Sequence, residues 1–498
     1  MSSVSSRFGH AVFFPLIFTI FTQSAQASTL EAGPLLPDAP QATAYLLPIS
    51  RALDTGDIAG AETLVRARLD DAPDDAIAWE VLGVTLSMRG DVTGADAAYA
   101  KAVTLEPKRL SAWIKRGDLA DASGHTPEAL GHWAAALKIA PGYAPAHERL
   151  GIAYADTNDL PRALTHLEAA VAAQDTAKLG AKAELAFVYN RIGRPKDTIA
   201  LLSPQDDGTA RMRLALGNAH AQLGDPKQAL ETYQKGIDAA PDNIALLKAK
   251  GALLVETGDW PNAVVVLSKP AAAEPADAFS NLQYARALLA MGRSVDGIAA
   301  AERAATADAN ADILHQALSV TARAHLMARD FSAAHAATTR LVTQLPDEPA
   351  SWREHAAIQG ATGQYEAAKS IYDEAIARFP QDAELLRGRS IVKVRLNQLA
   401  SAAQDAALAV KVAPKWLEAR FLLGEIQRAR GENDKAEGTF RSALTLDPDH
   451  WPSLVNIATL RLAEGDAAAA SRLAQRAVTL SGNAQPAADI LKKVQAQQ

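Results

Sequence analysis

The chain contains no cysteine in 498 residues. That excludes disulfides, thiolate metal sites, c-type haem attachment and a lipid-modified N-terminal cysteine. Aromatic residues are scarce, at 5%, and much of the 48% apolar content is alanine. After Phe21 no apolar run is long enough to cross a bilayer. Basic side chains are outnumbered 57 to 50, leaving a formal net charge of −7. A chain this acidic is a poor nonspecific binder of nucleic acid or anionic lipid. G-x-S-x-G, H-E-x-x-H, G-x-x-x-x-G-K-[ST] and a helix-opening G-x-G-x-x-G are all missing. Gly292-Arg-Ser-Val-Asp-Gly297 comes nearest to a glycine-rich phosphate loop, with the wrong spacing. The eleven histidines are scattered: His315, His325 and His335 are ten apart, and His125, His132, His147, His166 and His220 share no carboxylate pattern. Ligands on one helix face need closer spacing. No catalytic residue, metal or cofactor is therefore expected, and the chain reads as a non-enzyme.

A repeated unit is present instead. Within Ala76–Arg109, Trp79, Leu82 and Leu86 lie at i, i+3 and i+7, on one helical face. Gly90-Asp91 breaks that helix, and Ala95, Tyr99, Ala102 and Val103 mark the inner face of a second one. Glu106-Pro107 stops it, since proline cannot continue a helix and restricts the residue before it.

The same unit recurs in three columns. Small residues of the first helix fall at Gly83, Gly117, Gly151, Ala186, Gly217, Gly251, Ala285, Ala322, Ala356, Ser390, Gly424 and Ala458. Turn residues follow in phase at Gly56, Gly90, Gly124, Asn158, Gly193, Gly224, Gly258, Gly292, Gly363, Asn397, Gly431 and Gly465. Closing prolines stand at 73, 107, 141, 241, 275, 346, 380, 414 and 448. The register predicts thirteen hairpins, starting at Ala42, Ala76, Leu110, Ala144, Leu179, Ala210, Ile244, Ala278, His315, Pro349, Ala383, Leu417 and Trp451. Two steps break the period. The second helix near Thr198–Ser203 is shortened and ends at Pro204, and about three residues are inserted in Thr306–Leu314.

The pattern W-x2-L-G-x2-L, then A-x3-Y, then P, resembles the tetratricopeptide repeat, with Leu86 in place of the usual aromatic. The resemblance covers Ala42–Ala484 and implies an all-α, right-handed superhelical solenoid of helix-turn-helix hairpins. Residues 485–498 read as a capping helix over the last apolar face. Trp79, Trp113, Trp352 and Trp133 sit in core slots, while Trp260, Trp416 and Trp451 fall at turns or helix starts.

Before the repeats, residues 1–27 have the form of a secretory signal peptide. Ala11–Phe21 is its apolar run and Ala25-Gln26-Ala27 its cleavage signal. Cleavage is expected after Ala27, an uncleaved anchor being the alternative. Residues 28–41, with Pro34, Pro37 and Pro40, form an extended lead-in. Export without disulfides fits a bacterial periplasm.

In tetratricopeptide arrays the first helices line a concave groove that receives the partner. Positions three before, one after and four after the small residue share the groove face. Early hairpins place Glu80, Asp118, Asp121 and Glu148 there; middle ones Asn190 and Asn218; then Lys248, Arg286, Arg323, Arg353 and Arg387 supply one cation per hairpin. Glu425 and Arg428 follow. Arginine grips carboxylate or phosphate with two parallel bonds. The cationic run therefore predicts an acidic protein segment, or an anionic polysaccharide, along Lys248–Arg387. The carboxylate clamp of some family members is incomplete: Leu214 replaces its lysine beside Asn218, and Ala249 and Phe279 take the later slots. Exported relatives of this kind support exopolysaccharide synthesis and export, or assembly of outer-membrane and cytochrome c machinery. The resemblance implies a protein-binding envelope scaffold and leaves that choice open. A glycan-binding role requires aromatics beside the cations, and only Phe279 and Phe421 stand in groove slots.

Overall fold

A computed structural model describes residues 45–173, 179–203, 208–306 and 309–496. The signal segment, the lead-in, Ala42 and Pro204 lie outside the described residues. Among those described there are 27 helices: twelve contacting hairpins, the two further helices Ile244–Thr257 and Trp260–Ala273, and the lone helix Gln485–Gln495. The chain divides into two compact units, residues 1–257 and 258–498. In unit 1 the described part holds six hairpins and the helix Ile244–Thr257; unit 2 starts with Trp260–Ala273 and continues through six hairpins to the lone helix.

Eleven of the thirteen residues expected to start a hairpin do start a helix. The first hairpin begins at Leu46. The ninth begins at Ala311, not His315, because the inserted residues add a turn to a 17-residue helix, Ala311–Met327. The shortened second helix is Pro195–Leu202, eight residues long.

The turns explain themselves chemically. Every residue of the expected turn column has positive φ, including Asn158 and Asn397. Such a residue closes the first helix: Gly90 N–H donates to Ser87 O and Asp91 N–H to Leu86 O, 2.9 Å each, the double bond that satisfies a helix C-terminus. The aspartate that follows then caps the second helix, as Asp57, Asp91, Asp225, Asp259 and Asp466 do by accepting from the backbone three residues on. Each cap of this kind contributes about 1 kcal/mol. One member of the column escaped the sequence pattern: Arg329 occupies the turn of the ninth hairpin at φ 61°, followed by the cap Asp330.

Packing inside a hairpin rests on one small residue facing one large one, sixteen positions later. A Cβ on Gly83 would lie 2.5 Å from the Tyr99 ring, one on Gly151 2.6 Å from Leu167, and one on Gly424 2.6 Å from Phe440. Gly117 against Trp133 and Gly217 against Tyr233 are closer still. In four hairpins whose small slot holds alanine or serine the partner is small as well: Ala285 faces Ala301, Ala322 faces Thr338, Ser390 faces Ala406 and Ala458 faces Ala474, all fully buried; Ala186 and Ala356 keep the large partners Leu202 and Tyr372.

Trp133 and Trp352 are buried, as their slots predict. Trp79 and Trp113 are only half-buried, and their indoles have a second task. The indole N–H groups of Trp79, Trp113 and Trp352 donate to the carbonyls of Pro73, Pro107 and Pro346 at 2.7–3.0 Å. His147 and Asn281 repeat the bond to Pro141 and Pro275. A donor six residues after the closing proline thus satisfies the loop between hairpins.

Within each unit, several first helices touch the first helix of the next hairpin, as Leu179–Arg191 does Ala210–Gln222 and Ala311–Met327 does Pro349–Ala361. Second helices have no comparable contact among the described residues. Each stack is therefore tighter on the side of its first helices, which forms its inner face. The lone C-terminal helix buries Ala487, Ile490 and Val494 on the last hairpin, the cover an end layer requires.

Candidate functional site

In unit 1 the inner face is acidic and largely satisfied. Glu80 is 5% exposed; it pairs with Arg109 and accepts from the Ser111 hydroxyl at 3.0 Å. Asp118 accepts from the Trp133 indole at 3.1 Å and from Arg149 at 3.0 Å. Asp121 accepts from Thr126 at 2.9 Å. Glu184 holds Arg211. Burial raises the carboxyl pKa of Glu148, opposed by Arg149 and reinforced by Glu184 and Asp118. Burial, Glu184 and Asp121 raise that of Asp156 in the same way. Burial is the main common cause, and neighbouring like charge adds to it.

The two asparagines expected to face a partner do not do so equally. Asn190 is a correction: at 2% exposure it is interior. Its amide donates to Ala215 O, and its oxygen accepts from Thr198, both at 2.8 Å. It ties three helices together around the shortened one, where packing alone is thin. Asn218 is half-buried and accepts from the Tyr233 hydroxyl at 2.6 Å, so its first task is to orient that ring. Lys248 is half-buried on Ile244–Thr257.

In unit 2 the inner face is basic, but not a row of free cations. Arg286 is exposed and donates to Gln283 at 3.3 Å. Arg323 reaches Glu354 of the next hairpin at 3.1 Å, and Arg353 reaches Glu384 of the hairpin after that. These pairs stitch neighbouring layers together and use up part of the charge read as available for a partner. Arg387 differs: its guanidinium lies 5.5 Å from the Trp416 ring centroid, its Nε is buried without a partner, and among the described residues no carboxylate meets it. Glu425, further along, has its carboxyl pKa raised by burial against the pull of Arg428.

The groove aromatics proposed for a glycan are occupied. Phe279 is 8% exposed, within the core. Phe421 packs tilted against Phe440 at 5.7 Å and edge-on to His450 at 5.1 Å. Two contributors to the unit 2 face were hidden in the sequence. Tyr372 occupies a large packing slot, and its value as a polar group shows only once Gly388, from the next hairpin, is seen to leave room for its hydroxyl. Trp416, at a helix start, acquires its place from Arg387. Among the described residues no group of three histidine or carboxylate side chains could hold a metal ion, and no helix is long and apolar enough to cross a membrane.

Sequence profiles described as tetratricopeptide repeat match residues 49–109, 114–178, 353–415 and 391–450, and a second such profile matches 210–253. Together they span more than half of the chain. Hsp70-Hsp90 organizing protein 1 of Glycine max is 24% identical over 247 residues, 48% of this chain and 42% of that protein. Cellulose synthase 1 operon protein C of Komagataeibacter xylinus is 24% identical over 323 residues, 51% of this chain and 24% of that protein. The chain therefore spans less than half the length of either relative. Among solved structures, yeast Tom70 aligns over 85% of this chain and 96% of its own, with a TM-score of 0.43 and 15% identity.

Proposed function

Because the chain belongs to the tetratricopeptide repeat family, we propose that it is a non-enzymatic scaffold that holds a protein partner on the inner face of its first helices. The observation that carries this reading is the chemistry of that face in unit 2. Exposed Arg286 and Arg323, half-buried Arg353 and Arg387, and the small exposed Ala357 line first helices whose opposite sides are packed into the layers. A polypeptide laid there meets charge and open backbone-sized space without disturbing the core.

The scaffold works in the bacterial cell envelope, beside exopolysaccharide synthesis or export. Two things support this placement: the signal-like residues 1–27 and the similarity to an operon protein of cellulose synthase. An acidic partner segment suits the unit 2 face better than an anionic polysaccharide does, since Phe279 and Phe421 are unavailable for sugar stacking. The incomplete clamp around Asn218, with Leu214 beside it, argues against transferring the chaperone-organizing role of the Glycine max relative.

The test is site-directed photo-crosslinking in the native host. A photoreactive residue at Ala357, exposed on the inner face, should capture one discrete protein, whereas one at Ser370, exposed on a second helix, should not. Equal capture from both positions, or from neither, overturns the groove reading. Mass spectrometry of the purified chain should find Ser28 at its N-terminus; an intact Met1 on a cytosolic protein would remove the envelope placement.

A further inference from the structure

The inner face of unit 2 contains a cavity of about 650 Å³ between the helices Pro349–Ala361 and Ala383–Arg395. Arg353, Tyr372, Arg387, Gly388 and Trp416 line it, with Ile391 and Val392 as an apolar wall. Arg353 is already neutralised by Glu384. Arg387 is not: the Trp416 ring holds one face of its guanidinium, and its buried Nε has no acceptor. Tyr372 is 4% exposed, and among the described residues its hydroxyl has no hydrogen-bond partner. The same position in unit 1 is treated differently, for the Tyr233 hydroxyl donates to Asn218, one residue after its small slot, where the Tyr372 hairpin has Ala357. Burial pushes the Tyr372 phenol up to about 12, with Arg353 and Arg387 pulling against it. The phenol therefore stays a neutral donor under all ordinary conditions, close to both cations.

A buried guanidinium Nε and a hydroxyl that faces the cavity, both donors and both unmatched among the described residues, define the shape of what is missing. An unpaired buried donor destabilises the cavity until an acceptor arrives. The missing group must accept from both, carry negative charge, and sit beside apolar side chains. We propose that this cavity binds a carboxylate of a polypeptide partner, presented on an extended segment next to an apolar side chain. The inference rests on the reading of the unit 2 face as a protein-binding groove. Arg387 is the one unneutralised cation whose Nε is buried in the cavity, which suits a monoanion beside an apolar wall better than a phosphate dianion; Arg395, exposed on the lining, adds attraction from the rim. The Trp416 face is covered by Arg387 and is not open to a sugar ring.

The test uses the full chain and a fluorescein-labelled, end-blocked peptide of alternating glutamate and leucine, followed by fluorescence anisotropy. The glutamate peptide should bind at least about ten-fold more tightly than its glutamine counterpart, as charge-assisted bonds require. Arg387→Met should weaken it by about ten-fold or more, and Tyr372→Phe by about three-fold. Circular dichroism checks that each variant folds; if Arg387→Met does not, Gly388→Ala, which crowds the Tyr372 hydroxyl, supplies the same loss by occlusion. Equal binding of the two peptides, or glutamate binding indifferent to all three substitutions, overturns the proposal. So does displacement by inorganic phosphate as effective as by unlabelled peptide, or Arg387-dependent binding of oligogalacturonate in place of peptide. Should the glutamate peptide fail while Ala357 still crosslinks a partner, the pocket assignment falls and the groove reading stands.

Discussion

The two units use one architectural slot for opposite electrostatic ends. In unit 1 the large-slot Tyr99 is buried beside Glu80 and Asp118, and burial followed by those two charges drives its phenol far above the ordinary range. In unit 2 the large-slot Tyr372 is buried beside Arg353 and Arg387, which pull its phenol down against burial. The backbone around each ring is the same hairpin. What differs is a few groove positions per layer, and those decide whether a negative or a positive partner group is welcome. Repeat proteins separate packing from recognition in this way, because each layer needs only its neighbours for stability.

The units also differ in how they fill their layers, and that difference can be broken most forcefully at Trp133. Unit 1 sets glycine against Tyr99, Trp133, Leu167 and Tyr233, whereas unit 2 mostly sets alanine or serine against Ala301, Thr338, Ala406 and Ala474. Trp133→Ala should cost about 3–5 kcal/mol, read as lost amide protection across Leu110–Ala122 and Thr126–Ile139. Ala406→Gly in unit 2 should cost only about 1–2 kcal/mol, helix propensity plus one buried methyl. If the tryptophan loss is as small as the alanine one, the bulky slot does not carry the unit 1 layers. Hydrogen exchange of the unmodified chain sharpens the same point, with the alanine-on-alanine hairpin Ala278–Ala304 expected to open before Ala76–Leu105.

Acid should separate the units next. His355 is 9% exposed, stacks on His335 at 5.0 Å, and meets the Thr338 hydroxyl at 2.9 Å. His335 in turn contacts Gln359. No carboxylate among the described residues faces the pair. Burial, then His335, lowers its pKa from 6.5 to about 4. Between those values the unfolded chain binds the proton that the folded one refuses, so this contribution is whole above pH 6.5 and lost as pH falls to 4. The loss is roughly 3 kcal/mol. In unit 1 Glu148 and Asp156 have raised values; they bind protons more readily folded than unfolded, so acidification relieves them and offsets the depressed His132 and His166. Amide exchange at pH 4.5 should therefore loosen Phe331–Gln344 and Pro349–Ala361 first, and His355→Gln should abolish most of that loosening. Equal loosening in the variant would place the acid sensitivity elsewhere.

Most of the fold was legible because period, turn and stop are local chemistry. Gly90-Asp91 and Pro107 declare their roles without reference to any distant residue. The site was less legible, because groove positions carry whichever residue the layers on either side permit. Asn190 sits in a groove slot by count, yet the eight-residue helix Pro195–Leu202 cannot fill its layer, and the asparagine turns inward to complete it. Arg323 and Arg353 read as free charges until the next layers bring Glu354 and Glu384 beside them. Tyr372 declares nothing by its position alone, because the gap for its hydroxyl is made by Gly388, sixteen residues away on a different hairpin.

The finest contrast lies in the turns. Unit 1 closes its hairpins with glycine, or with Asn158, whereas unit 2 uses Arg329 at φ 61° in one of them. A side chain with a Cβ costs about 1–2 kcal/mol in the left-handed region. Glycine removes that strain but gives back about 0.4–1 kcal/mol through the greater freedom of the unfolded chain. Arg329→Gly should therefore raise the denaturation midpoint of unit 2 by the equivalent of roughly 0.5–1 kcal/mol, while leaving unit 1 untouched. The Asp330 side chain, which accepts from Ala333 N–H at 3.0 Å, caps the next helix whichever residue precedes it. A fall in stability would mean that the arginine side chain contributes more than its backbone strain removes, and that this turn, unlike those of unit 1, is held from outside.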